Sequence, residues 1–173
     1  VTIQAGEFSR ENNFSEIRVA AKPTPVPPIE RPSSPFTPPP ENGYPSLPFE
    51  SEALETAADT WTGKDWWKIG GGGTAWDSMA YDPELDYVYL PTSTPTHNSY
   101  GGHRHGNNLF AESLVALNLE TGKRLWHFQF VHHPIWDYDV PCAPILANIT
   151  VNGKAIKAIA QPTKQGFVYV FDR

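Results

Sequence analysis

Cysteine is almost absent from this 173-residue chain: Cys142 stands alone, which excludes an internal disulfide and leaves the redox compartment unreadable from thiols. Charge is scarce too. Only 18% of residues are Asp, Glu, Lys or Arg, and the formal net charge of −6 argues against a nucleic-acid binder, which needs a basic face. No apolar run approaches the ~20 residues that span a bilayer as a helix. The chain opens on Val1 rather than Met, with neither the basic n-region nor the apolar h-region of a signal peptide, and so reads as a fragment or a processed product. Helical periodicity is also missing from Trp61 onward, which leaves strands and turns as the building material.

What the chain does have is proline, 18 residues of it, and 13% aromatic residues. The two are unevenly spread, and they divide the chain into a part over 1–60 and a part over 61–173. Pro23, Pro25, Pro27, Pro28, Pro32, Pro35, Pro38, Pro39, Pro40, Pro45 and Pro48 crowd one stretch. Proline fixes φ and lacks a donor, so this stretch is expected to be a largely irregular, extended loop or insertion. The helix formers Glu52, Ala53, Leu54, Glu55, Ala57 and Ala58 predict a short helix between Phe49 and Thr60. Beyond Trp61, apolar runs alternate with turn residues. Residues 78–81 and 87–90 flank an Asp82-Pro83 turn, 114–118 and 124–129 flank a Thr121-Gly122 turn, and 143–151 and 154–161 flank Asn152-Gly153. A further strand is expected over 167–171. Strands at this spacing predict an all-β sandwich, barrel or propeller.

Four motifs choose among these. They are Gly70-Gly71-Gly72-Gly73-Thr74-Ala75-Trp76, the unit Ala116-Leu117-Asn118 with Thr121-Gly122 and Trp126, the run His132-His133-Pro134-Ile135-Trp136-Asp137-Tyr138-Asp139, and Gln161-Pro162-Thr163-Lys164-Gln165-Gly166. Together they resemble the pyrroloquinoline-quinone (PQQ) dependent dehydrogenases, the quinoproteins of glucose- and alcohol-dehydrogenase type. The resemblance covers about residues 61–173, and Thr2-Ile3-Gln4-Ala5-Gly6-Glu7-Phe8 is similar to the family segment just upstream. It implies a partial β-propeller, about two blades of an eight-bladed ring, in which Trp126 docks between neighbouring blades. Val170-Phe171-Asp172-Arg173 is similar to the start of the next repeat. Repeats of this kind bury their cores only by stacking, so the remaining blades of a parent chain are expected as partners.

The resemblance also assigns roles. It implies Trp76 as the floor beneath the flat quinone and Thr74 as a contact to a cofactor oxygen. A planar ring system suits an aromatic platform, and glycines let the backbone come close; alone, a glycine run before a Trp is an ordinary bulge with a packed ring. Asp137, in Trp-Asp-x-Asp, matches the general base that takes the proton of a substrate hydroxyl. On the residues alone, a carboxylate there caps a turn, a role that suits Asp139 better. Lys164 matches the cation beside the quinone carbonyls, where it would stabilise negative charge, although a Lys in such a turn is ordinarily just solvated. Ca²⁺ is implied as well. Where relatives place an Asn, this chain has Thr94, whose neutral hydroxyl is a poorer calcium donor, and the other ligands are expected upstream. His97, His103, His105, His127, His132 and His133 have no zinc-site spacing. They read as loop and packing residues, with His132 and His133 candidates for the substrate mouth.

The implied function is oxidation of a sugar or alcohol with transfer of electrons to a quinone or cytochrome, in a periplasmic and sometimes membrane-associated enzyme. The rival is a non-catalytic propeller of the same repeats that binds protein partners in the bacterial envelope. Such a scaffold has no reason to keep Trp76, Asp137 and Lys164 together.

Overall fold

A computed structural model describes residues 56–62 and 72–173, together with two strands nearer the N-terminus. The proline-rich stretch 23–48 lies outside the described residues. Of the helix expected over 49–60, the described part is a single turn at 56–58.

The described strands are β1 (Thr2–Ile3), β2 (Ile17–Ala20), β3 (Ala80–Asp82), β4 (Tyr87–Pro91), β5 (Ser113–Asn118), β6 (Arg124–Gln129), β7 (Ile145–Val151), β8 (Lys154–Pro162) and β9 (Val168–Asp172). Each hairpin turn has a local cause. Asn152 and Gly153 both take positive φ, 50° and 77°, as the tight turn matching strand twist requires. Asn118 Oδ1 accepts from the Thr121 amide at 2.9 Å and from its hydroxyl at 2.8 Å, and Gly122 supplies a φ of 69°. Asp82 Oδ1 accepts from the Glu84 amide at 2.9 Å, opening the turn into β4.

These hairpins build two sheets, as expected for blades: a four-stranded antiparallel one in the order β3-β4-β5-β6, and a five-stranded one in the order β1-β7-β8-β9-β2. β1 and β2 were not anticipated as strands. They pair parallel to β7 and β9 inside the part expected to be irregular.

The alternation along β5 explains how the sheets meet. Leu114 and Ala116 face a core shared with the second sheet, while Val115 and Leu117 face the opposite side with Leu90. Trp126 stands 4% exposed in the shared core, its ring 5.8 Å from Tyr89 of its own sheet and 5.8 Å from Phe171 of the next. This is the expected docking of the repeat Trp. Phe128 lies 5.0 Å from Phe171, and Phe130 lies 4.8 Å from Tyr169. Losing a buried ring of this size costs about 3–5 kcal/mol, so the aromatic layer is a main tie between sheets. Polar ties add to it: Arg173 Nη1 donates to the fully buried Asp82 Oδ2 at 2.8 Å.

The registers place Pro91 opposite Leu114, Ser113 opposite Gln129, and Ile145 opposite Ala160. The loops after β4, before β5, after β6, before β7 and after β8 therefore emerge at matching ends of their sheets. The candidate site is made of these loops.

His127 on β6 offers a test of this packing. It sits edge-on to Phe110, with ring centroids 4.9 Å apart, and its Nδ1 is 3.1 Å from Arg124 Nη1. Burial, aided by the Arg124 charge, pulls its pKa down to about 4. The unfolded chain takes up this proton near pH ~6.5 and the fold does not, so stability is full above that pH and is lost progressively as pH falls towards 4. Melting temperature measured across this range should drop for the wild type and drop less for His127→Gln. Parallel profiles would place His127 in solvent.

Candidate active site

The glycine run is shaped by its neighbour. Gly72 bridges to Pro95, the Gly73 amide donates to Thr94 O at 3.4 Å, and the Ser93 amide donates to Thr74 O at 3.0 Å. Gly72 has a φ of 109°, and a Cβ there would lie 2.3 Å from Pro95 Cα, so only glycine fits. This short ladder ties Thr74 to the loop that carries Thr94, and it delivers Trp76 two residues later with its side chain 57% exposed.

The Thr94 loop is then fastened to the segment around Asp137. The Thr94 amide donates to Asp139 Oδ1 at 2.8 Å, and the Val140 amide donates to Thr92 O at 3.4 Å. Asp139 Oδ2 in turn accepts from Lys164 Nζ at 2.6 Å, while Asp137 Oδ2 stands 3.5 Å from the same ammonium. Lys164 is held in a turn closed by the Thr163 amide to Phe167 O at 3.0 Å, with Gly166 at a φ of 79°. Asp137 itself takes a left-handed φ of 56° and half of its side chain is exposed. Lys164 thus stands beside Asp137, and Thr94 is linked to both through Asp139. Thr74 joins them through the backbone, and Trp76 offers an open ring nearby in the chain.

Asp139 departs from expectation. It caps no local turn; its two oxygens bridge a backbone amide 45 residues earlier and an ammonium 25 residues later. Its hydrogen bond raises the Lys164 pKa, against a small burial cost, and the charges of Asp139 and Asp137 add to the rise. The ammonium is therefore charged throughout the neutral range.

Two buried charged residues support this cluster without having been singled out in the sequence. Glu112, fully buried, accepts at Oε1 from the Thr94 hydroxyl and from the Tyr138 amide, the latter at 3.0 Å. Burial pushes its pKa up, those two hydrogen bonds oppose the rise, and the charges of Asp139 and Asp137 add to it. Arg104, also fully buried, donates to Asn108 Oδ1 at 2.7 Å, His97 O at 2.9 Å and Pro134 O at 2.7 Å. It clamps the histidine-bearing loop onto the approach to Asp137. A signal for Glu112 was present: a carboxylate between the apolar runs Leu109-Phe110-Ala111 and Leu114-Val115-Ala116-Leu117.

The histidines serve these loops. His133 donates its amide to Asn107 O at 3.1 Å and holds Nδ1 2.9 Å from Gly106 O. His103 Nε2 lies 3.2 Å from Thr96 O, and its ring meets His97 at 5.6 Å. Oxygen donors suited to a hard cation are at hand in Thr94, Glu112, Asp137 and Asp139. Among the described residues, however, no three His, Cys, Asp or Glu side chains converge as a metal cage. A planar anionic cofactor finds two matching features among these residues, an open indole at Trp76 and a charged ammonium at Lys164.

Residues 43–173 match the model of the PQQ family described as glucose/ethanol/alcohol dehydrogenase, β-propeller domain. The chain is 44% identical over 133 residues to quinohemoprotein alcohol dehydrogenase ADH IIB of Pseudomonas putida, covering 76% of this chain and 19% of that one. It is 46% identical over 100 residues to the quinoprotein glucose dehydrogenase of Escherichia coli K12, covering 57% of this chain and 13% of that one. The crystal structure of quinohemoprotein alcohol dehydrogenase from Comamonas testosteroni superposes with a TM-score of 0.66 at 43% identity, over 76% of this chain and 20% of that one. The chain spans about a fifth of the length of the alcohol dehydrogenases it matches.

The Lys164–Asp139 pair can be tested without any cofactor. With Asp139→Asn the bond that raises the lysine pKa is lost, so more Lys164 is a free amine at about pH 9. Labelling by an amine-directed acetylating reagent, read by peptide mass spectrometry, should then speed up several-fold at Lys164 and stay constant at the exposed Lys154. Equal Lys164 rates in the two proteins would rule the pair out in solution.

Proposed function

The chain belongs to the β-propeller family of PQQ-dependent glucose, ethanol and alcohol dehydrogenases, and from that premise we propose that the full-length protein oxidises a sugar or alcohol and passes the electrons to a quinone or cytochrome. The observation that carries this reading is the cluster of Lys164 against Asp137 and Asp139, tied through Asp139 to the Thr94 loop and so to the ladder that leads into Trp76. The relatives are alcohol and glucose dehydrogenases, which supports the enzyme over a binding scaffold. A periplasmic location, with membrane association in some members, is part of the same proposal.

In this reading, Trp76 lies under the cofactor and Thr74 contacts one of its oxygens. PQQ, when bound, supplies the two-electron acceptor for the hydride of the substrate carbon. Asp137 takes the proton of the substrate hydroxyl. It suits that role because its side chain is half open and its contact with Lys164 is long, at 3.5 Å, so an oxygen lone pair stays available. Lys164 holds positive charge where negative charge grows, and Asp139 both aims the ammonium and keeps it protonated. Ca²⁺ would be held by Thr94 and Asp137 together with ligands from elsewhere in the full-length protein. Thr94 accordingly contributes less than an amide carbonyl would, since a neutral hydroxyl is the poorer calcium donor.

Reconstitution of the full-length protein with PQQ and Ca²⁺ should yield dye-linked dehydrogenase activity on a panel of sugars and alcohols. Asp137→Asn should then lower kcat by about 10²–10⁴-fold, with PQQ affinity changed little because the floor residue is untouched. Near-normal turnover in that variant would remove Asp137 as the base.

A further inference from the structure

We propose that Glu112 is a positioning residue for this reaction, a single carboxylate oxygen that sets the distance between the Thr94 loop and the Asp137–Asp139 loop; the inference rests on the function proposed above. Glu112 opens β5 from a left-handed backbone, with a φ of 45°. Its amide donates to Ser93 O at 3.0 Å, and its carbonyl accepts from the Phe130 amide at 2.8 Å. The main chain is thus pinned between the loops leaving β4 and β6, and the side chain has little freedom left. Its Oε1 then receives two donors from different loops, the Thr94 hydroxyl and the Tyr138 amide. Tyr138 lies between Asp137 and Asp139, so the bond fixes the backbone from which both aspartates project.

The arrangement is costly for anything less than a needed geometry. Glu112 is fully buried, and its Oε2 has no hydrogen-bond partner among the described residues. A buried carboxylate in that state destabilises the fold. A strand start that needed only an acceptor for one loop is served by Ser or Asn; bridging two loops from the floor between them takes a side chain of this length. The Thr94–Asp139 bond, 2.8 Å, closes the same circuit from the other side. Glu112, Thr94, Tyr138 and Asp139 therefore form a closed ring of contacts whose output is the placement of Asp137 and, through Asp139, of Lys164.

The essential feature is an acceptor oxygen at the Oε1 position, so Glu112→Gln should preserve the placement and Glu112→Ala should destroy it. Two measurements on the full-length protein separate this from a general structural role. Amide hydrogen exchange over residues 136–140 should be at least about tenfold faster in Glu112→Ala than in the wild type and restored in Glu112→Gln, while the β5 core at 114–117 stays protected in all three. In the PQQ-loaded enzyme, kcat should fall at least about tenfold in Glu112→Ala with KM within about threefold, and return in Glu112→Gln. If Glu112→Ala does not fold, Glu112→Met fills similar volume without an acceptor and takes its place in both comparisons. Unchanged exchange at 136–140, or unchanged kcat in an active enzyme, overturns the proposal. A wild type that shows no PQQ-dependent turnover counts against the proposed function instead, and the exchange comparison still decides whether Glu112 holds the loops.

Discussion

The Asp139 carboxylate is the contact on which the candidate site depends. One of its oxygens accepts the Thr94 amide at 2.8 Å and the other accepts Lys164 Nζ at 2.6 Å. Three chain segments, after β4, before β7 and after β8, are joined through that one group. Its contribution to stability is small, since a partly exposed ion pair is worth about 0–1 kcal/mol and Lys164 is 37% exposed on its side chain. Its contribution to geometry and charge is larger. It brings the ammonium to 3.5 Å from Asp137, raises the lysine pKa, and leaves Asp137 the less committed of the two aspartates.

That contact can form only because the sheets bring the loops to matching ends. The aromatic layer of Trp126, Phe128, Phe130, Tyr169 and Phe171 sets the distance between sheets, and the strand registers set where each loop begins. Rigid strands beneath and polar clamps above divide the work. Hydrophobic burial holds the scaffold, while Arg104 and Glu112, both buried, fix the loops by hydrogen bonds whose loss would strand a charge in the interior.

Much of this was legible in the sequence where the causes are local. Asn152-Gly153 and the Asn118–Gly122 turn announce their hairpins within a few residues, while the docking of Trp126 between sheets was implied by the resemblance of its repeat unit to the family's. Thr94, Asp137 and Lys164 were singled out through motif resemblance, and Asp139 is the residue that links them. The parts that escaped depend on long-range contacts. Asp139 reads as a turn cap until its partner 45 residues away is known, and Arg104 carries no sequence signal for its bond to Pro134, 30 residues on. The parallel pairing of β2 with β9 has no local signature at all.

The central proposal is that these loops frame a seat for PQQ with Trp76 as its floor. Titration of PQQ into the full-length apoprotein, followed by tryptophan fluorescence, tests that claim most directly when wild type and Trp76→Ala are compared. Saturable quenching is expected in the wild type, with affinity weakened at least about tenfold in the variant. Equal affinity in the two proteins would contradict it, because the open indole would then face something other than the cofactor.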